Sequence, residues 1–146
     1  IAPRRVLEAR KDGVLFRTID DTLAVDSVVV LRPTIDRGEV ARAITNAVPH
    51  EGKLYNFDFD FFTDDRLVCT EVVYRAYEGV GGISFSLSNH AGRLTLPAES
   101  LVTMALEDRG FEPAALFGVP RLGRQVATGM KARRRLEWLR KRTRTA

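Results

Sequence analysis

Cysteine occurs once in the 146 residues, at Cys69. That excludes an internal disulfide framework and any zinc site built from cysteines. No apolar run approaches the roughly 20 residues of a bilayer-spanning helix, so a spanning helix within this sequence is excluded as well. Histidine occurs only twice, at His50 and His90, and tryptophan once, at Trp138. There is no Gly-x-Ser-x-Gly nucleophile elbow, no internal repeat and no low-complexity linker. The sequence starts at Ile1, with neither an initiator methionine nor a signal peptide, and a preceding segment is expected to have been removed. In bulk the chain is 45% hydrophobic and 29% charged. It reads as globular, long enough for one domain with a real core and too short for two comfortable ones.

The net charge of +4 is unevenly placed. Residues 131–146 carry +7, with Glu137 their one acidic residue, which leaves −3 for residues 1–130. A basic segment of this kind attracts phosphate on lipid headgroups, or docks on an acidic partner. Base-stacking aromatics are nearly absent from it, since Trp138 stands alone, so sequence-specific nucleic-acid recognition is not expected. The reading is a domain over residues 1–128 and a basic, helical C-terminal tail over 129–146. No cofactor is implied. The compartment is left between cytoplasmic and membrane-associated, because a sole unpaired cysteine is compatible with both.

Local patterns give the elements. Two short apolar runs, 4–9 and 13–19, flank Asp12-Gly13, a hairpin signal. Residues 27–32 are β-branched and form a strand stopped by Pro33. Asp36 and Glu39 resemble a capping box opening a helix that runs to Pro49. A polar and aromatic loop, His50 to Arg66, comes next. Cys69, Val72, Val73 and Ala76 recur at helical spacing and predict one buried helix face, ended by Gly79, Gly81 and Gly82. Residues 83–87 alternate like a strand, 97–107 read as a helix, and 114–119 as a last short strand. The order predicts an α+β domain with a mainly antiparallel sheet.

Cys69 has two readings. At the first turn of a helix, unpaired N–H groups and the helix dipole stabilise a thiolate and can hold an oxyanion. Equally, a free cysteine there is a small hydrophobe. Asp58, Asp60, Asp64 and Asp65 lack the glycine and terminal glutamate of a calcium loop, and no metal is expected.

The neighbourhood of Cys69 resembles a known family. Gly52-Lys53-Leu54-Tyr55-Asn56-Phe57-Asp58-Phe59, followed by Cys69-Thr70-Glu71-Val72-Val73-Tyr74-Arg75-Ala76-Tyr77, is similar to the YiiX/YebB-like permuted papain-like amidases of the NlpC cell-wall hydrolase clan. Their pattern is Gly-x-x-Tyr-Asp-Phe-x-Phe and then Cys-Ser-Glu-Leu-Val-Tyr-x-Ala-Tyr. Asn56 and Thr70 depart from it. Upstream, Val6-Leu7-Glu8-Ala9, Gly13-Val14 and Val28-Val29-Val30-Leu31-Arg32-Pro33 match the family in order, so the likeness runs to about residue 107.

The resemblance implies a circularly permuted NlpC-type, papain-like fold of a bacterial kind, with an antiparallel sheet packed against the Cys-bearing helix. It implies a cysteine hydrolase cleaving an amide in a peptide, peptidoglycan-type or lipid-linked substrate. Cys69 would be the nucleophile, Glu8 the residue orienting an imidazole, and Tyr55 a lining residue that helps hold the oxyanion. The family's histidine lies on the strand before the Glu8 segment, which places it ahead of Ile1; His50 and His90 read as a surface and a turn histidine. Two alternatives stand beside the amidase: a lipid thioester acyltransferase, and a catalytically inactive papain-like binding module.

Overall fold

A computed structural model describes residues 4–143; residues 1–3 and 144–146, with Arg144 of the basic segment, lie outside the described residues. The elements run β1 (Arg5–Arg10), β2 (Gly13–Thr18), α1 (Ile19–Leu23), β3 (Val28–Pro33), α2 (Arg37–Ala47), a 3-10 turn (Val48–His50), β4 (Leu54–Tyr55) and β5 (Arg66–Leu67). They continue with α3 (Cys69–Tyr77), β6 (Ser88–His90), β7 (Arg93–Thr95), α4 (Ala98–Leu106), β8 (Phe111–Phe117), β9 (Ala127–Thr128) and α5 (Gly129–Thr143). The fold is mixed α+β, and every strand pairing is antiparallel except the short β4–β5 ladder. Two compact units share the chain. The first comprises residues 1–22 and 35–98, the second residues 23–34 and 99–146.

In the first unit the Asp12-Gly13 signal gives the expected hairpin, paired from Arg5↔Thr18 to Arg10↔Gly13. Strand alternation puts Leu7 and Ala9 on one face of β1 and Glu8 on the other. The Leu7/Ala9 face meets a core of Ala9, Val14, Leu67 and Val72, with Leu7 and Tyr55 packed against it. Fully burying side chains such as Val14 and Leu67 is worth about 1.5–3 kcal/mol each. Gly13 has φ +107°, and a Cβ there would sit 2.7 Å from the Lys53 carbonyl oxygen. Only glycine lets β2 come that close, and the approach is used: the Val14 N–H donates to Lys53 (2.9 Å) and the Gly52 N–H to Val14 (2.8 Å). The hairpin thereby holds the segment that leads into Tyr55.

Asp36 caps α2 as expected, its Oδ1 accepting from the Glu39 N–H at 2.9 Å. Glu39 does not complete the box. Its carboxylate accepts instead from the Gly81 N–H (3.0 Å) and pairs with Arg42 (3.4 Å). Residues 83–87 are not a strand, although Ile83 and Phe85 are buried in alternation. The Phe85 N–H donates to the Glu78 carboxylate (2.9 Å) rather than to a neighbouring strand. Alternating burial here comes from a side-chain clasp, which periodicity cannot distinguish from a ladder.

In the second unit β3, β8 and β9 form an antiparallel sheet. β8 begins at Phe111, ahead of the predicted 114. Pro113 has no N–H to give the ladder, and the register slips between Val30 and Leu31, leaving Ala114 as a bulge. Leu106, Leu116, Leu122, Ala127, Ala132 and Leu136 make the core. The basic segment is helical, as expected, and two of its arginines face carboxylates: Arg133 pairs with Asp108 and Arg140 with Glu107. Arg133 also donates to the Leu106 and Ala105 carbonyls (2.9 and 3.1 Å), satisfying acceptors that the end of α4 leaves open.

Candidate active site

Cys69 opens α3 and is exposed. This corrects the expectation that it shares a buried face with Val72, Val73 and Ala76. Val72 and Ala76 are buried and Val73 is half-buried, and the third fully buried residue is Glu71. The preceding residue, Val68, is extended and has no side-chain oxygen with which to cap the helix. No N-cap side chain therefore claims the first-turn N–H groups; that of Glu71 donates to the Val68 carbonyl (3.1 Å), which leaves those of Cys69 and Thr70 for a thiolate or an oxyanion.

A short parallel ladder brings Tyr55 to this helix end. β4 pairs with β5 as Tyr55↔Leu67, and the Asn56 N–H donates to the Leu67 carbonyl (3.2 Å). Tyr55 thus lies across from the residue two before Cys69. Burial first, and then the negative charge of a Cys69 thiolate, push the Tyr55 phenol above its ordinary value. At neutral pH it is a hydrogen-bond donor within electrostatic reach of the sulfur. Phe57 and Phe59 pack edge-on against it, with ring centroids at 5.0 and 6.3 Å, yet remain 62% and 52% exposed.

The loop that carries these aromatics is held by two buried polar residues, and sequence reasoning assigned a part to neither. Asn56, 1% exposed, donates through Nδ2 to the Asp60 carbonyl (2.7 Å) and the Thr63 hydroxyl oxygen (3.2 Å), and accepts from the Asp58 N–H (3.1 Å). Thr63 spends its own proton on the Arg66 carbonyl (2.9 Å). An amide is required here, which accounts for Asn56 where the family has Asp. Asn56→Asp should cost about 1–3 kcal/mol in urea unfolding at neutral pH, because a carboxylate would face two acceptors; an unchanged midpoint would refute the clamp.

Glu71 is the second. Its side chain is fully buried, with Oε1 accepting from the Phe62 N–H (3.0 Å) and pairing with Arg75 (3.1 Å), while Oε2 has no hydrogen-bond partner. Arg75 also lies over the Phe62 ring at 5.4 Å. Phe59 and Phe62 have φ of +52° and +72°, a region bulky residues rarely adopt. Glu71 and Arg75 grip Phe62, and Asn56 spans the turn that contains Phe59. A glutamate in a helix's first turn ordinarily marks a dipole partner at the surface, so the pattern carried no sign of burial.

Glu8 occupies the β1 face opposite Leu7 and Ala9. Its carboxylate meets Arg10 at 2.8 Å, Arg17 at 3.3 Å and the Thr22 hydroxyl at 3.3 Å. His50 is half-buried in the 3-10 turn. Burial first, then the charges of Lys53 and Arg75, hold its imidazole below the ordinary value near 6.5. Arg75 is six residues beyond Cys69, about 9 Å along the helix axis. His90 is exposed at the tip of the β6–β7 hairpin, opposite Arg93.

A lowered histidine means that the unfolded chain takes up the proton first, so this contribution to stability is present above about pH 6.5 and is lost as pH falls below it. His50→Gln should therefore lose less stability than the parent between pH 7.5 and 5.5 in urea titrations. Parallel losses would refute the assignment.

Among the described residues no group of three or more His, Cys, Asp or Glu side chains is gathered to hold a metal ion.

The first unit thus packs a helix that opens on an exposed cysteine against an antiparallel hairpin. The solved structure of the metalloprotein yiiX from Escherichia coli O157:H7 has this fold: it superposes with a TM-score of 0.52 at 21% identity, covering 88% of this chain and 68% of that one. The model of the permuted papain-like amidase enzymes, the YaeF/YiiX, C92 family, matches residues 2–124. The chain belongs to that family. Among curated proteins, none matches the sequence.

Proposed function

We propose that the protein is a cysteine hydrolase cleaving an amide bond through Cys69. The observation that carries this reading is the exposed Cys69 at an uncapped helix N-terminus with the protonated Tyr55 beside it. The thiolate attacks the carbonyl carbon and the C–N bond breaks after the tetrahedral intermediate forms. The developing oxyanion is held by the Cys69 N–H and the Tyr55 hydroxyl. An imidazole takes the thiol proton and returns it to the leaving amine, and water then releases the acyl group. The family motif implies that imidazole on the strand ahead of Glu8; His50, held low first by burial and then by the charges of Lys53 and Arg75, is not assigned the role. The family motif gives the orienting role to Glu8, whose carboxylate stands on the β1 face opposite the Leu7/Ala9 core and is held there by Arg10, Arg17 and Thr22, so the reading rests on Cys69 and Tyr55 rather than on Glu8.

The exposed rings of Phe57 and Phe59 next to Tyr55 favour a substrate with an apolar acyl portion, that is, a lipid-linked amide over a peptidoglycan-type stem. The test is covalent capture. The full-length protein is incubated with N-acyl p-nitroanilides of short and long chain, quenched, and the acylated peptide mapped. An acyl group on the Cys69 peptide with faster release from long chains is expected; turnover with acylation elsewhere would overturn the reading. Acyl groups transferred to an added alcohol or amine faster than to water would identify the thioester acyltransferase instead.

A further inference from the structure

The helix α5 sorts its cations. Arg133 and Arg140, on the side that faces α4 and the residues after it, meet Asp108 and Glu107. Arg121, Lys131, Arg134 and Arg135 have no carboxylate partner among the described residues. These charges do not disperse. The guanidinium carbons of Arg121, Arg135 and Arg142 lie 4.8, 5.2 and 4.8 Å from the Trp138 ring centre. Beside the indole is a hollow of about 360 Å³ lined by Leu122, Lys131, Arg134, Arg135 and Trp138. Like charges this close repel one another, and the repulsion falls when an anionic surface faces them.

We propose that this outer face of α5 docks the protein on an anionic phospholipid bilayer. Three features select a bilayer among phosphate-bearing partners. The cations stand at helical spacing on one stripe, Lys131–Arg135–Trp138 and Arg134–Trp138, as on an interfacial helix. Met130, one turn before Arg134, is 62% exposed, and Val126 just upstream is 59% exposed; both are apolar contacts for the acyl boundary. The Trp138 ring is already occupied by guanidinium groups, so a nucleic-acid base has no open aromatic face on which to stack. Guanidinium groups on tryptophan at a headgroup layer, with their stems along apolar surface, are a favourable interfacial pairing. The inference does not depend on the chemistry at Cys69.

The test is co-sedimentation of the full chain with sucrose-loaded vesicles of phosphatidylcholine alone, and of phosphatidylcholine with about 30 mol% phosphatidylglycerol, at about 0.1 M salt. Partition should be at least about tenfold stronger on the anionic vesicles, as roughly fivefold per engaged cation implies. The double variant Arg134→Glu/Arg135→Glu should lose more than about tenfold. Arg32→Glu/Arg37→Glu makes the same change of net charge outside α5 and should stay within about twofold. Met130→Glu should weaken retention as salt is raised. Equal losses in the two double variants, or equal binding to uncharged vesicles, would overturn the proposal. So would displacement by inorganic phosphate at matched ionic strength, which marks a discrete phosphate site, or tighter binding of an RNA oligonucleotide than of the anionic vesicles.

Discussion

Replacing Cys69 by alanine is expected to lower kcat for amide hydrolysis by about 10⁴-fold or more, with KM little changed. Nucleophile removal does not merely weaken a contact; it deletes the covalent route, and what remains is the modest acceleration that oxyanion donors and binding give to attack by water. Cys69→Ser should fall nearly as far, because a hydroxyl at this position depends entirely on the base to reach its reactive form. Folding should be almost untouched. The side chain is exposed, so neither variant opens a cavity, and urea midpoints should agree within about 0.5 kcal/mol. In the same assay His50→Gln and His90→Gln should stay within about threefold, since the family motif gives the base role to neither and His90 is exposed at a hairpin tip. A Cys69→Ala protein with a tenth of parental turnover would end the thiolate reading.

The largest expected loss of stability comes from Arg75→Leu, at about 3–5 kcal/mol. The asymmetry of the pair decides this. Glu71 is completely buried, whereas the Arg75 side chain is 27% exposed. Removing the arginine strands a charge that cannot reach water; removing the glutamate strands one that can. Glu71→Gln should accordingly cost only about 1–2 kcal/mol, because the amide still accepts from the Phe62 N–H. In melting temperature the contrast is roughly 10–15 °C against 3–6 °C. Because Arg75 and Glu71 fix Phe62, the Leu variant should also show faster proteolysis in the 55–66 loop. If Glu71→Gln proves the more damaging of the two, the clamp has been misassigned.

Short-range chemistry was the part legible in the sequence. Asp12-Gly13 gave the hairpin, Asp36 gave the helix cap, and the Cys69 motif gave the helix that opens on the cysteine. Each depends on contacts between residues at most a few positions apart, where spacing alone fixes geometry. What could not be read were side chains that serve as backbone partners over distance. Glu78 takes the N–H of Phe85, Glu39 that of Gly81, and Glu71 that of Phe62. In a sequence each of these glutamates looks like a solvated helix residue. The buried face of α3 was misjudged for the same reason: a period-3.6 pattern ranks residues by hydrophobicity, and it moved the exposed Cys69 inward and the buried Glu71 outward. Tyr55 was proposed for the site through its motif, and its place opposite Leu67 follows from a two-residue parallel ladder too short to leave a pattern.

The path of the chain between its two units bears on synthesis. Residues 23–34 leave the ribosome between the two stretches of the first unit, yet their ladder partner begins at Phe111. At about 5–20 residues per second, β3 with its Val28-Val29-Val30 run waits roughly 4–16 s for β8 to emerge. The first unit has all its residues by 98 and can close during that interval, while a β-branched strand tethered to it stays unpaired. Nascent chains arrested near residue 100 should therefore expose a sticky segment. A trigger for premature aggregation is built into the order in which the polypeptide is made.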